Sequence, residues 1–364
     1  MTLHLYLARR FAASLLAVLG IFVVLTFLVE FVEQARRYGS EVGGLGQLAE
    51  MTLLRLPQSL YQIVPLIVII ASLAYFLALA RTSELVAIRG AGRSAIASLL
   101  SPVIVALLLG GASVAVLNPL VAATLRGYEA RIGAMQGSES VLAFAGDGLW
   151  LRQGNAFGQT VIHAEASNLD GTELGGVTFL MFGPDGLPQR RIAAPSARLA
   201  DGAWEIRDAK LWPLREAANP EAESRRLGTL SLPSDLTADE IRNSFGAPAS
   251  VPIWQLPDFI ARLNAAGFTA RRHEVFLQAE IATPLFLVAM VLIAAAFTMR
   301  HQRSGRTGVF VLTAVLLSFG AYFLRNFAQI LGENGQISAY LAAWGPPLAT
   351  IGLVSGLLLH LEDG

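Results

Sequence analysis

The sequence predicts an α-helical membrane protein with an inserted all-β domain: six transmembrane helices, arranged 3+3 around a β-jellyroll-like domain. Six long apolar runs carry that prediction: Phe11–Val29, Leu56–Ala80, Ala95–Leu125, Ile281–Met299, Val309–Leu324 and Gln336–Leu359. None of them holds Asp, Glu, Lys, Arg or His. The first run makes about 28 Å of helix, close to the ~30 Å hydrocarbon core of a bilayer. Composition agrees, with 54% apolar and only 15% charged residues, outside the range of ordinary soluble domains. The third observation is a change of pattern between the third and fourth runs, where turn signals and short strand-like segments replace long apolar stretches.

The chain divides accordingly. Residues 1–136 hold the first three spans with a cytoplasmic loop at 82–94, residues 137–250 the β domain, and residues 251–364 a short helix and the last three spans. The first run is long enough to span and lacks a small-residue cleavage site, so it reads as a span and not as a cleavable signal peptide. Its helix is expected to continue through Glu30 and Glu33 to Arg36 and Arg37, with Gly39 ending it. The segments before the first run, between the second and third and between the fourth and fifth fall on one side of the membrane and hold Arg9, Arg10, Arg81, Arg89, Arg93, Arg300, Arg303 and Arg306 against one acid, Glu84. The positive-inside rule therefore places both termini in the cytoplasm and the β domain outside, which for a bacterial inner membrane is the periplasm.

Asp-Gly pairs at 147–148, 170–171, 185–186 and 201–202 mark tight turns, because both residues tolerate positive φ. Strands are expected at Leu149–Gln153, Thr160–Ala166, Gly176–Phe182, Arg190–Leu199 and Ala203–Leu211, as a sandwich or jelly roll. The stretch Trp204, Ile206, Asp208 alternates poorly. Asn219–Arg226 reads as a loop. Pro252–Ala265 reads as an amphipathic helix presenting Leu256, Phe259, Ile260 and Leu263, and a second helix runs through Arg271, Arg272 and Gln278 into the fourth span.

The residues exclude several chemistries. The net charge is zero, so nothing draws the chain as a whole to nucleic acid. Cysteine is absent, which removes disulfides, thiol catalysis and cysteine metal sites. Lys210 is the single lysine and has no glycine-rich loop around it, so P-loop ATP hydrolysis is excluded. The histidines are scattered, without metalloprotease spacing, and the apolar runs lack the acids and histidines of proton relays. No catalytic residue and no metal ligand is assigned.

The loop between spans two and three reads Arg81-Thr82-Ser83-Glu84-Leu85-Val86-Ala87-Ile88-Arg89-Gly90-Ala91-Gly92-Arg93-Ser94. Ser83 suits an N-cap, Glu84 favours the positive end of a short helix, and Leu85 and Ile88 share a face. Two readings stand: a short helix docking on a cytoplasmic protein, or an ordinary positive-inside loop.

The S-E-L-x-A-x-R-x-x-G-x-S pattern of this loop, in a chain of 3 + β + 3 layout, resembles the lipopolysaccharide export permease family LptF/LptG over essentially its whole length. Gly148-Leu149-Trp150-Leu151-Arg152 is closer to the LptG branch. The resemblance implies a non-catalytic ABC-transporter subunit. It would pair with an LptF-like second permease, an LptB ATPase dimer that binds ATP and Mg, and LptC, and would pass lipopolysaccharide towards the outer membrane. It implies a coupling helix at Ser83–Arg93 that uses Ser83, Glu84, Leu85, Ile88 and Arg89, with Glu84 as the polar contact to the ATPase.

Lipopolysaccharide needs cations at headgroup height and an apolar region below. Arg36, Arg37, Arg55 and Arg325 are expected at the outer interface, since arginine binds phosphate through two parallel bonds. Interfacial arginines also snorkel without any ligand. Family members often carry basic residues at the outer end of span one, whereas this chain has Glu30 and Glu33 there. The acyl-chain region comprises Phe22, Leu25, Phe27, Leu28 and Phe31 on span one, and Phe310, Leu317 and Phe323 on span five. Two other classes compete: a mechanotransmission-type ABC membrane subunit, disfavoured by three spans before the outside domain, and a lipid-modifying membrane enzyme, disfavoured by the missing acid–base cluster.

Overall fold

The computed structural model describes residues 2–39, 44–82, 84, 95–136, 142–145, 148–155, 158–167, 171–200, 202–215, 219–234, 236, 241, 247–265, 269–299 and 307–363. The helices are α1 (Thr2–Tyr38), α2 (Leu45–Arg81), α3 (Ala95–Ala112), a π turn (Ser113–Leu117), α4 (Asn118–Gln136), α5 (Leu256–Ala265), α6 (Arg271–Thr298), α7 (Thr307–Glu333) and α8 (Ala339–Asp363). Among the described residues, six helical stretches are long and apolar enough to cross a membrane, with α3, the π turn and α4 forming the third. The chain folds as two units. A membrane unit comprises residues 1–131, 248–256 and 271–364, and a sheet unit comprises residues 132–247 and 257–270.

α6 is the centre of the membrane unit: 72% of its apolar window is buried, against 6% for α1 and 17% for α7. Its alanines at 282, 289, 294, 295 and 296 leave room for neighbouring helices, and Gly110 of α3 abuts Pro284 so closely that a Cβ there would lie 2.4 Å from the proline Cα. Around α6 the core gathers Leu7 and Phe11 of α1, Val68 and Phe76 of α2, Leu99 of α3, Ala314 of α7 and Val354 of α8. Polar clasps join the helices where lipid offers no partners. Ser14 donates to the Ala71 carbonyl at 2.9 Å, and Arg271 reaches the carbonyls of Gly332 and Ile337 at 2.9 and 3.1 Å. As expected, α1 runs past its apolar stretch through Arg37, and the Gly39 N–H closes the last turn on Ala35 at 3.0 Å.

The sheet unit is one antiparallel seven-stranded sheet: β1 (Leu142–Ala145), β2 (Gly148–Asn155), β3 (Gly158–Ser167), β4 (Glu173–Phe182), β5 (Pro188–Ala200), β6 (Ala203–Pro213) and β7 (Arg225–Pro233). Each strand pairs with the next in sequence, a meander where a jelly roll would interleave its strands. The inserted all-β domain is therefore present, and β1 and β7 add to the five expected strands. Arg225 and Arg226 were expected in a loop and instead open β7, pairing with Leu211 and Lys210. Phe179, Ile192, Trp204 and Ile206 are fully or almost fully buried on one face, covered by Ile241, Ala270 and α5 residues Phe259, Ile260 and Leu263.

The poor alternation of β6 has a local cause. Asp208 sits at φ 53, the one described non-glycine residue in the left-handed region. Register is kept across the site, with Arg207 opposite Thr229 and Ala209 opposite Leu227, but the turned backbone at Asp208 shifts the inward set from Trp204 and Ile206 to Ala209. Left-handed φ costs a β-branched residue about 1–2 kcal/mol. Asp208→Val should therefore lower the melting temperature of the purified chain by several degrees while Asp208→Gly leaves it near wild type; equal melting of both variants would show that the left-handed conformation at this position is unimportant.

Candidate functional site

A polar cavity of about 290 Å³ lies inside the membrane unit. α2 contributes Gln58, Tyr61 and Gln62; the π turn and α4 contribute Ser113 and Asn118; α6 contributes Glu280 and Thr283; α7 contributes Tyr322, Arg325, Asn326, Gln329 and Glu333. On α7 these residues recur at helical spacing of three or four, which aims one polar stripe inward from an otherwise apolar helix.

Glu280 is only 5% exposed. Its carboxylate accepts hydrogen bonds from the Tyr61 hydroxyl and, at 3.4 Å, from the Asn118 amide. The same Asn118 side chain accepts the Ile253 backbone N–H at 2.9 Å. Arg325 donates to the Thr283 hydroxyl at 2.9 Å and lies over the Phe286 ring at 4.8 Å. Glu280 and Arg325 thus share one cavity with opposite charges and no direct ion pair between them among the described residues. An isolated charge is expensive at membrane depth, and each of these two is served by hydroxyl, amide or ring partners from other parts of the chain.

This corrects two sequence expectations. Arg325, expected to face outward to a headgroup, is enclosed: α7 continues to Glu333, and the guanidinium turns towards Thr283 inside the cavity. The expectation that the spans lack a buried acid fails at Glu280, which lies in the body of α6. Both residues adjoin apolar runs that were ended at the first charge, which left them outside the spans. The signal that finds them is the polar i, i+3, i+4 stripe on α7 and the Asn118-Pro119 pair inside the third run.

The other expected lipid contacts are distributed along α1, α2 and α7. Arg36 and Arg37 both reach Glu33, at 3.0 and 2.6 Å, so one carboxylate offsets part of their charge. Glu30 accepts from Ser59 of α2 at 2.5 Å, and Arg55 stacks on Tyr128 at 5.2 Å. Leu25, Leu28, Leu317 and Phe323 are exposed. Phe22, Phe27, Phe31 and Phe310 are half-buried, with Phe27 stacked on Phe31. The acyl-chain residues belong to α1 and α7, the two least buried apolar helices.

Glu84 folds back on its own chain. It accepts hydrogen bonds from Arg10 and Tyr6 of α1, the latter at 3.3 Å, and from Thr82 at 3.0 Å. Burial pushes its carboxyl up, but the bonds from Arg10, Thr82 and Tyr6 outweigh that and hold it below the usual carboxylate range. Ser83, Leu85, Ile88 and Arg89 lie outside the described residues.

The family described as lipopolysaccharide export system permease LptF/LptG matches residues 5–360. The chain is 26% identical over 331 residues to the lipopolysaccharide export system permease protein LptG of Escherichia coli K12, covering 88% of this chain and 87% of that protein. It is 24% identical over 382 residues to the protein of the same name from Haemophilus influenzae, covering 100% and 99%.

The cavity makes its own prediction. Tyr61→Phe deletes one donor to a buried carboxylate, which should cost about 1–3 kcal/mol. Thermal unfolding in detergent should show that loss, and the loss should shrink when Glu280→Gln is already present. A Tyr61→Phe protein that melts like wild type would show that this hydrogen bond supports nothing.

Proposed function

The chain belongs to the LptF/LptG family of lipopolysaccharide export permeases, and from that premise we infer that it is one permease half of an ABC transporter. It takes lipopolysaccharide from the inner membrane and hands it to a periplasmic bridge. Hydrolysis of ATP belongs to a separate LptB-like ATPase dimer, and an LptF-like permease and LptC complete the assembly. The arginine bias of the loops supports a periplasmic sheet unit and cytoplasmic termini.

The observation that carries this reading is the contrast between α6 and the pair α1 and α7. A bundle complete in itself would bury its apolar helices more evenly, whereas α1 and α7 present Leu25, Leu28, Leu317 and Phe323 outward. Those faces suit acyl chains and the second permease. Arg36, Arg37 and Arg55 supply cations for the phosphorylated sugar head, with Glu33 setting how much of that charge is free. Acyl chains lose roughly 0.8 kcal/mol per CH₂ on entering water, so lifting this lipid out of the membrane requires both a shielding path and an external energy source.

Energy enters at the cytoplasmic side. The Arg10–Glu84 contact anchors the start of the 82–94 loop to α1, so force on that loop reaches the helix proposed to line the lipid path. Two measurements test this. Glu84→Ala should reduce co-purification of the ATPase, and a complex that assembles and turns over normally would remove Glu84 from the coupling contact. Arg36→Glu combined with Arg37→Glu should cut photocrosslinking of lipopolysaccharide to α1 severalfold; undiminished crosslinking would mean that these arginines only anchor the helix.

A further inference from the structure

The chain passes between its two units at four points, after Arg131, Ala247, Leu256 and Ala270. The short segment Pro248–Leu256 belongs to the membrane unit yet is joined at both ends to the sheet unit. It is tightly folded: Val251 donates to Pro248 at 3.2 Å, and Gln255 and Leu256 donate to Pro252 at 2.9 and 3.1 Å. Two contacts seat it on the π turn. The buried Ile253 N–H donates to Asn118 Oδ1 at 2.9 Å, and Trp254 Nε1 donates to the Ala115 carbonyl at 3.3 Å.

The sequence explains why that seat exists. Pro119 has no N–H, so it cannot give the Ala115 carbonyl its ordinary helical bond. The helix widens there into a π turn, with the Asn118 N–H reaching Ser113 instead. The widening places the Asn118 side chain between the segment and the cavity, where its amide also donates to Glu280. One side chain, only 2% exposed, therefore bridges the interunit segment and the buried carboxylate of the central helix.

We propose that Asn118 is a positioning residue that latches the Pro248–Leu256 segment to Glu280 and so transmits movement of α6 into the chain leading to the sheet unit. The proposal deepens the export reading and rests on it. Movement of α6 reaches this segment through a directional, fully buried contact, which a loose tether would not provide. Release of the latch leaves the nucleotide cycle running and the lipid hand-off slack.

The absence of native cysteine allows a clean test. Ile253→Cys places a thiol at a buried site in the full chain, and labelling by a bulky water-soluble maleimide reports whether the segment is seated. Asn118→Leu should raise the labelling rate about tenfold. In the reconstituted complex it should lower the lipopolysaccharide released per ATP hydrolysed severalfold, with ATP turnover retained. A short bis-maleimide joining Ala115→Cys to Trp254→Cys should restore that ratio in the Asn118→Leu background. Should Asn118→Leu not fold, Asn118→Asp keeps the acceptor for Ile253 and replaces the donor to Glu280 with a second carboxylate, so labelling should stay near wild type while the release ratio falls severalfold. Unchanged labelling or a failed rescue in Asn118→Leu, or an unchanged release ratio in either variant, overturns the latch. A wild-type complex that releases no lipopolysaccharide on ATP overturns the export reading instead, while the labelling still reports on the seat.

Discussion

A bilayer offers no water to a polar group, so every charge inside it must be served by the chain itself. Much of the membrane unit follows from that constraint at one place, the cavity that holds Glu280 and Arg325. Serving Glu280 takes Tyr61 from α2 and Asn118 from the start of α4; serving Arg325 takes Thr283 and Phe286 from α6. These contacts fix the faces that α2, α4, α6 and α7 turn inward. The tight approach of Gly110 to Pro284 and the alanine-rich flank of α6 complete the packing with apolar contact alone.

The same arrangement decides what is left outside. With α6 enclosed, α1 and α7 keep broad apolar faces uncovered by their own chain. In water such faces would be a liability, whereas in a membrane they are surfaces for lipid and for a partner. A lipid-export permease needs both. The two charge clusters of α1 stand at its opposite ends: Arg10 with Glu84 near the start, and Glu33 with Arg36 and Arg37 at the finish. One helix therefore joins the proposed point of energy input to the proposed headgroup contacts.

Much of the fold was legible in the sequence because its signals are local. Uncharged runs of bilayer length gave all six spans, the arginines beyond Val29 gave the extension of α1, and Asp-Gly turns gave most of the sheet. What escaped reading depends on partners distant in sequence. Glu280 and Arg325 look like flanking charges until Tyr61 and Phe286 are known to face them. Arg225 and Arg226 look like loop residues until β6 is present to pair with them. The inward step at Ala209 depends on a positive φ at Asp208 that alternation alone does not reveal. The reading of Glu84 as an outward contact did not anticipate its bonds to Arg10 and Tyr6.

The proposed role is that of a transporter half that holds an amphiphile and is moved by another subunit's nucleotide. The most direct measurement is lipopolysaccharide release from proteoliposomes to a soluble acceptor, with this chain, its partner permease and the ATPase subunits each present or omitted. Release that requires ATP and every one of these components is the predicted result. Full release with the ATPase subunits left out would contradict it.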